Sequence, residues 1–437
     1  MTNTRPVLLS CVSALAFVLL TGTESRLYAQ GSEEYIVQFQ NGTPPAARRA
    51  AVANAGAAMR FVYTGVSAAA VRVANEQALV ALQRNPAVRS IVPNRPVFAY
   101  QHVDINGNPN KGGGGGPQGQ VIPAGVVRVG VPTAASNGSG IGVAILDTGI
   151  DLGHPDLVVA ASGFSAFGAS CQDGHGHGTH VAGTVAARDN GADVLGVAPA
   201  AQLYCVKVLD NSGSGSDATL IAGLDWVLNN HNSVVPAIKV INMSLGRAGT
   251  VNDNTVMRDL FVRLDAAGIS VVAAAGNDPL ADVSEQIPAA YPEVIAVAST
   301  TARIGSNQCR FLSSAIAADT ASHFTTDGIG VTVSAPGEEQ EDVNRGCFIQ
   351  SIGILSTRLG GGTTRMSGTS MASPHVAGVA ARYYQQDPAL TPSEVKFWIA
   401  ENASRPGVAP LDSPTSNYTF DGVREGIARG PLAIIDP

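Results

Sequence analysis

Residues 173–183 read DGHGHGTHVAG and pack His175, His177 and His180 into six positions. Imidazoles that close together could ligate a metal, supply a catalytic base or sit in a polar loop. Two other stretches set polar residues beside small or apolar ones. AILDTGID (144–151) places Asp147 after an apolar run, and GTSMASPHVAGVAA (368–381) places Ser370 ahead of Ala and Gly. The small residues suit a closely packed helix that Ser370 opens. There its oxygen would feel the positive end of the helix dipole, beside backbone N–H groups free to bind an anion. Pro374 is expected near that helix start, where its missing N–H does least harm.

The elements that must carry these residues form an α/β pattern. From residue 121, short apolar runs recur: GVAILD (142–147), LYCVKVLD (203–210), IKVINMSLG (238–246), ISVVAAAGN (269–277) and EVIAVAST (293–300). Such runs fit strands buried on both faces. Between them, DATLIAGLDWVLNN puts Leu220, Ile221, Leu224, Val227 and Leu228 on one helical face. NTVMRDLFVRLDAAG does the same with Val256, Met257, Leu260, Phe261 and Leu264. Alternation of strand and helix predicts a parallel central sheet with helices on both faces. Asp147, Ser244-Leu245-Gly246 and Asn277 each end a predicted strand, and open parallel sheets bind ligands along that edge.

Residues 33–99 read as a smaller unit. EEYIVQF is a predicted strand, PPAARRAAVANAG a helix, and FVYTGVSAAAVRV a strand pair broken at Thr64-Gly65. NEQALVALQRN is a second helix, and VRSIVPNRPVFAY holds the closing strands. That is the ferredoxin-like α+β order. QHVDINGNPNKGGGGGPQGQ then reads as an exposed linker. Seven arginines against three glutamates make residues 32–100 basic, whereas residues 101–437 hold 18 basic and 30 acidic side chains. Opposite charge could draw the two parts together, and neither balance suggests nucleic acid.

Arg5 precedes VLLSCVSALAFVLL, an apolar run too short for an ordinary membrane span. Residues 1–29 are expected to be a signal peptide cut after Ala29. The product would be secreted (extracellular, or periplasmic), off the membrane and monomeric. Without Cys11, four cysteines remain, an even count that favours two disulfides in an exported protein. Of three pairings, Cys171–Cys205 with Cys309–Cys347 is preferred because each pair is local.

DTG, HGTHVAG and GTSMASPH, in that order, resemble the three catalytic blocks of the subtilisin-like serine proteases, and the likeness covers most of residues 120–400. It implies Ser370 as nucleophile, His177 as general base and Asp147 as the residue that orients the imidazole. Asn277 matches the family's side-chain oxyanion donor. Gly213, Ser214 and Gly215 match one substrate-binding edge, and Ser244, Leu245 and Gly246 the other, so a peptide would bind as an added strand. A structural Ca²⁺ is implied through Gln120, Asp156 and Asn190 side chains and the carbonyls of Arg188, Ala192 and Val194, with no cofactor for catalysis.

By the same likeness, residues 30–103 are an inhibitory propeptide, 104–119 a linker and processing region, and 120–437 the catalytic domain. Self-cleavage is expected within FAYQHV (98–103) or the linker. Polypeptides are the implied substrates, with the propeptide as an internal partner. Gln286, Ala289 and Ala290 stand where glycines are frequent in the pocket wall, and broad cleavage after apolar or aromatic residues is expected. His180 is expected to be a hydrogen-bonded support and His175 a loop residue.

Three other readings are weaker. An aspartic protease needs two apposed DTG segments, and the chain has one. A zinc hydrolase on the three histidines lacks HExxH and an obvious third ligand. A non-catalytic relative would lack a triad residue, and none is missing.

Overall fold

The computed structural model describes residues 33–100, 119–404, 409–414 and 425–431. The expected signal segment and all of the linker 104–119 except Gly119 lie outside the described residues.

The N-terminal unit comprises β1 (Glu33–Phe39), α1 (Pro45–Asn54), β2 (Ala58–Val62), β3 (Ala68–Val73), α2 (Glu76–Gln83) and β4 (Val88–Pro93). Its antiparallel sheet runs β2-β3-β1-β4, the ferredoxin-like order. Strand alternation feeds two cores. Val37, Phe39, Ala69 and Val71 pack with Val52 of α1 and Leu82 of α2. Ile36, Ala68 and Ala70 face the other way, into a core shared with the rest of the chain. The stretch expected to close the unit divides: β5 (Pro96–Ala99) leaves this sheet and pairs elsewhere.

The larger part contains α3 (Ala124–Arg128), β6 (Gly142–Asp147), β7 (Phe164–Ser165), α4 (His177–Ala186), β8 (Gln202–Lys207) and β9 (Ser214–Ser216). There follow α5 (Asp217–Asn230), β10 (Ile238–Met243), β11 (Leu245–Ala248), α6 (Thr255–Ala266), β12 (Ser270–Ala274) and β13 (Gln286–Ile287). The last elements are β14 (Val294–Thr301), β15 (Val333–Val343), β16 (Ile349–Thr357), β17 (Thr363–Met366), α7 (Thr369–Gln386) and α8 (Pro392–Glu401). The main sheet runs β17-β16-β15-β14-β12-β10-β6-β8-β7, parallel from β7 to β15 and antiparallel in β16 and β17.

Both faces of the sheet are covered. In β6, Val143 and Ile145 join the core beneath α4 and α7, while Ala144 and Leu146 join the one beneath α5 and α6. That two-sided burial is why its sequence reads as an unbroken apolar run. Leu220, Ile221, Leu224 and Val227 of α5 and Val256, Met257, Leu260, Phe261 and Leu264 of α6 are buried as their spacing predicts, with Leu228 half-buried. Truncating Phe261 to alanine there would cost about 3–5 kcal/mol.

The N-terminal sheet docks on α5 and α6. Tyr63 donates to Ala218 O at 3.0 Å, and the Thr64 and Gly65 amides donate to Asp225 at 3.0 and 2.6 Å. Gln38 donates to Asp259 at 2.7 Å. Among the described ion pairs only Arg95–Asp253, at 2.6 Å, crosses this interface. Apolar burial and hydrogen bonds therefore fix the docking more than the opposite net charges do. Disulfides join Cys171 to Cys205 and Cys309 to Cys347, the preferred pairing.

Candidate active site

Asp147 ends β6, His177 begins α4 and Ser370 lies in the first turn of α7. Two glycines make the approach possible. Gly176 precedes His177 with φ of 101°, and a Cβ at Gly178 would run into the carbonyl oxygen of Gly149. His177 Nδ1 lies 2.8 Å from Asp147 Oδ1, and both side chains are fully buried. The Thr148 amide donates to the same Oδ1 at 2.7 Å. With Nδ1 committed to the carboxylate, Nε2 is the nitrogen left to accept a proton, and it has no hydrogen-bond partner among the described residues. Ser370 Oγ points instead to the Ser244 carbonyl, to which it donates at 2.9 Å.

Pro374 corrects one expectation. It is the sixth residue of α7, inside the helix and not at its edge. A proline there removes the N–H that would satisfy the carbonyl four residues earlier, that of Ser370. The Ser244 hydroxyl takes that carbonyl instead, at 2.7 Å. Ser244 thus receives Ser370 Oγ on its own carbonyl and supports the Ser370 backbone with its side chain.

Asn277 follows β12. Its Oδ1 accepts from both the amide and the hydroxyl of Thr369, at 2.9 and 2.8 Å. Those two donors fix which end of the amide is oxygen. Nδ2 is left facing the Tyr100 carbonyl at 2.8 Å.

Tyr100 is there because β5 lies between β9 and β11 in the sheet order β13-β11-β5-β9. Val97 and Phe98 pair with Gly215 and Ser214, while Phe98 and Ala99 pair with Gly246 and Leu245, all antiparallel. The Ala99 amide donates to Gly213 O at 3.1 Å and the Tyr100 amide to Ser244 O at 3.2 Å. All six residues expected to bind substrate line this strand, and a piece of the chain itself fills the groove.

The three histidines separate. His180 Nε2 lies 2.9 Å from Ile354 O, and burial pushes its pKa down to about 3, so it is a neutral structural group. His175 is half-buried. Its ring stands 6.3 Å from that of His177 and against Gly213, at the groove edge and not in a detached loop. Among the described residues the one His/Asp/Glu group within metal-ligand reach is His323, Glu338 and Glu341, elsewhere in the fold.

The residues expected to hold calcium gather around one loop. Gln120 Nε2 meets the carbonyls of both Arg188 and Val194. Asn190 donates to Asp156 Oδ1 at 2.8 Å, Val194 N to Asp156 Oδ2 at 3.3 Å, and Ala192 N to Asn190 Oδ1 at 2.9 Å. Asp156 is buried, and among the described residues no cationic side chain is bonded to it. Two carbonyls converging on one amide end, beside a buried carboxylate, form an oxygen-rich set that fits a hard cation.

This constellation, on a parallel sheet edge, defines a serine hydrolase that holds an extended peptide as a strand. Residues 138–423 match the Subtilase family, and the chain belongs to it. It is 33% identical over 382 residues to subtilisin amylosacchariticus of Bacillus subtilis subsp. amylosacchariticus, covering 85% of each chain. It is also 36% identical to subtilisin Savinase of Lederbergia lenta, over 67% of this chain and 95% of that one. In fold it is similar to fervidolysin of Fervidobacterium pennivorans, with a TM-score of 0.68 at 22% identity. That alignment covers 94% of this chain and 63% of fervidolysin's length. The family's members are serine endopeptidases acting on polypeptides, and this chain is one of them.

Sequence reasoning missed Thr369 and the role of the Ser244 hydroxyl, and it placed Tyr100 in the expected self-cleavage stretch FAYQHV without singling it out. Only Pro374 signalled the Ser244 role, through the carbonyl it leaves without a partner.

Proposed function

We propose that the protein is an exported, self-processing zymogen that cuts itself at Tyr100–Gln101 and thereafter cleaves other polypeptides. Residues 1–29 direct export and are removed, residues 30–100 fold and inhibit the enzyme, and the chain beyond them is the active form, a monomer. The observation that carries this reading is the Tyr100 carbonyl on Asn277 Nδ2, at 2.8 Å, at the end of a strand paired on both sides.

The steps follow from the groups present. Ser370 Oγ turns from the Ser244 carbonyl to His177, gives its proton to Nε2 and attacks the carbonyl carbon. Asn277 Nδ2 and the Ser370 amide receive the oxyanion, and Asp147 holds the imidazolium through Nδ1. His177 then protonates the leaving amine, and water, activated by the same imidazole, releases the acyl group. The paired edges of β9 and β11 supply binding and register, so that the attack is intramolecular in kind.

A structural Ca²⁺ belongs to this reading. Gln120, Asp156 and Asn190 would hold it by side chains and Arg188, Ala192 and Val194 by carbonyls. When bound, it supplies positive charge that tethers the 188–194 loop to residue 120.

The test is chemical. A serine-directed phosphonylating reagent should inactivate the processed enzyme and add its mass to the peptide bearing Ser370. Activity that resists this reagent but is lost to a zinc chelator would overturn the assignment.

A further inference from the structure

The Tyr100 ring lies against Gly246 and reaches Gln286. A Cβ on Gly246 would lie 2.6 Å from both Cε2 and Oη of the ring. Only a residue without a side chain lets the whole ring pass. At the far end the phenol donates to Gln286 Oε1 at 2.7 Å. Gln286 is buried, with 7% of its surface exposed, and is set by β13 pairing with β11 through Ala248. Its Cγ lies 3.3 Å from where a Cβ of Gly276 would stand. Burial holds the phenol protonated, far above its usual pKa, so it is a standing donor.

We propose that Gln286 is a specificity-determining residue that makes this protease select tyrosine over phenylalanine immediately before the scissile bond. The proposal rests on reading the chain as a protease whose own segment occupies the groove as substrate does. Phenylalanine would fill the same space but leave the Oε1 of the buried Gln286 without its donor. Sites built to hydrogen-bond a substrate hydroxyl penalise the analogue lacking it, whereas purely apolar pockets barely distinguish the two. Reversing the Gln286 amide would not change this, because Nε2 could donate to the phenol oxygen instead. A lysine could also reach an amide oxygen. However, its charge would be buried within the field of Arg247, the cation that acts on Tyr100. Gln286 is thus built for a neutral hydroxyl at the ring's para position.

The experiment compares kcat/KM of the processed enzyme on two peptides that differ only in Tyr or Phe before the cleaved bond. The wild type should prefer tyrosine by about tenfold or more. In Gln286→Leu the ratio should fall to one or below while the phenylalanine peptide is cut at least as fast as before. Gln286→Glu, which keeps an acceptor, should retain the preference. Should a substituted enzyme fail to mature, Tyr100→Phe in the otherwise unchanged precursor gives a second reading, as slower release of the N-terminal unit. A wild-type ratio near one, or a tyrosine preference that survives in Gln286→Leu, would overturn the proposal. Cleavage of neither peptide by the wild type would take down the protease reading itself, and this proposal with it.

Discussion

The carbonyl oxygen of Tyr100 lies 2.8 Å from Nδ2 of Asn277, whose Oδ1 is pinned by Thr369. A donor held in place before the reaction costs no reorganisation when the oxyanion forms. Asn277→Ala should therefore lower kcat by about 10²–10³-fold with little change in KM, the effect such a donor has in subtilisin. Steady-state kinetics on a chromogenic peptide would check this. A loss confined to KM would mean that Asn277 binds the ground state equally well.

Ser244 and Pro374 should be energetically coupled through the Ser370 carbonyl. Ser244→Ala leaves that buried oxygen without its donor, at a cost of about 1–3 kcal/mol. Pro374→Ala supplies an N–H four residues on and should recover most of that loss in the double variant. Urea unfolding of the four proteins, each also carrying Ser370→Ala to prevent autolysis, gives the cycle. Additive losses would exclude the coupling.

Burial and the neighbouring Glu341 carboxylate hold Glu338 well above the usual carboxylate range. Burial pushes Glu341 up too, but hydrogen bonds from the His323 amide and ring, at 2.8 and 3.0 Å, hold it below its ordinary value. A raised carboxyl stabilises the fold fully below its unfolded pKa and loses that contribution as pH climbs through the folded one. Glu341 works in the opposite direction, losing its contribution as pH falls through its depressed value. Glu338→Gln keeps the neutral shape, so its melting temperature should fall less than the wild type's as pH rises above the ordinary carboxylate range. Parallel declines would show that Glu338 is not the group responsible.

Chelation should lower the melting temperature of the wild type. Asp156→Asn removes the one carboxylate of the proposed cation site while keeping its size, so this variant should melt lower and respond little to chelator. A wild-type melting temperature unaffected by chelator would remove the cation from the account.

The α/β class and the strands β6, β8, β10, β12 and β14 were legible because two-sided burial writes itself as continuous apolar runs. The residues of the proposed triad were legible as three local motifs. Strands β15 and β17 were not, since Glu338, Glu341 and Arg365 interrupt the apolar pattern that marks the others. The family resemblance pointed to FAYQHV as a processing stretch, but which of its residues meets Asn277 depends on the edges that β9 and β11 leave open, a long-range fact that no local pattern encodes. Gln286 stood out by type, but its partner did not, because 186 residues separate it from Tyr100.

The central claim is that this chain cuts itself where Asn277 holds the Tyr100 carbonyl. It is tested most directly by expressing wild-type and Ser370→Ala precursors in a protease-deficient host and determining the C-terminal residue of any released N-terminal fragment by mass. The wild type should release a fragment ending in Tyr100, and Ser370→Ala should stay uncut. A fragment ending elsewhere, or one released from Ser370→Ala, would contradict the account.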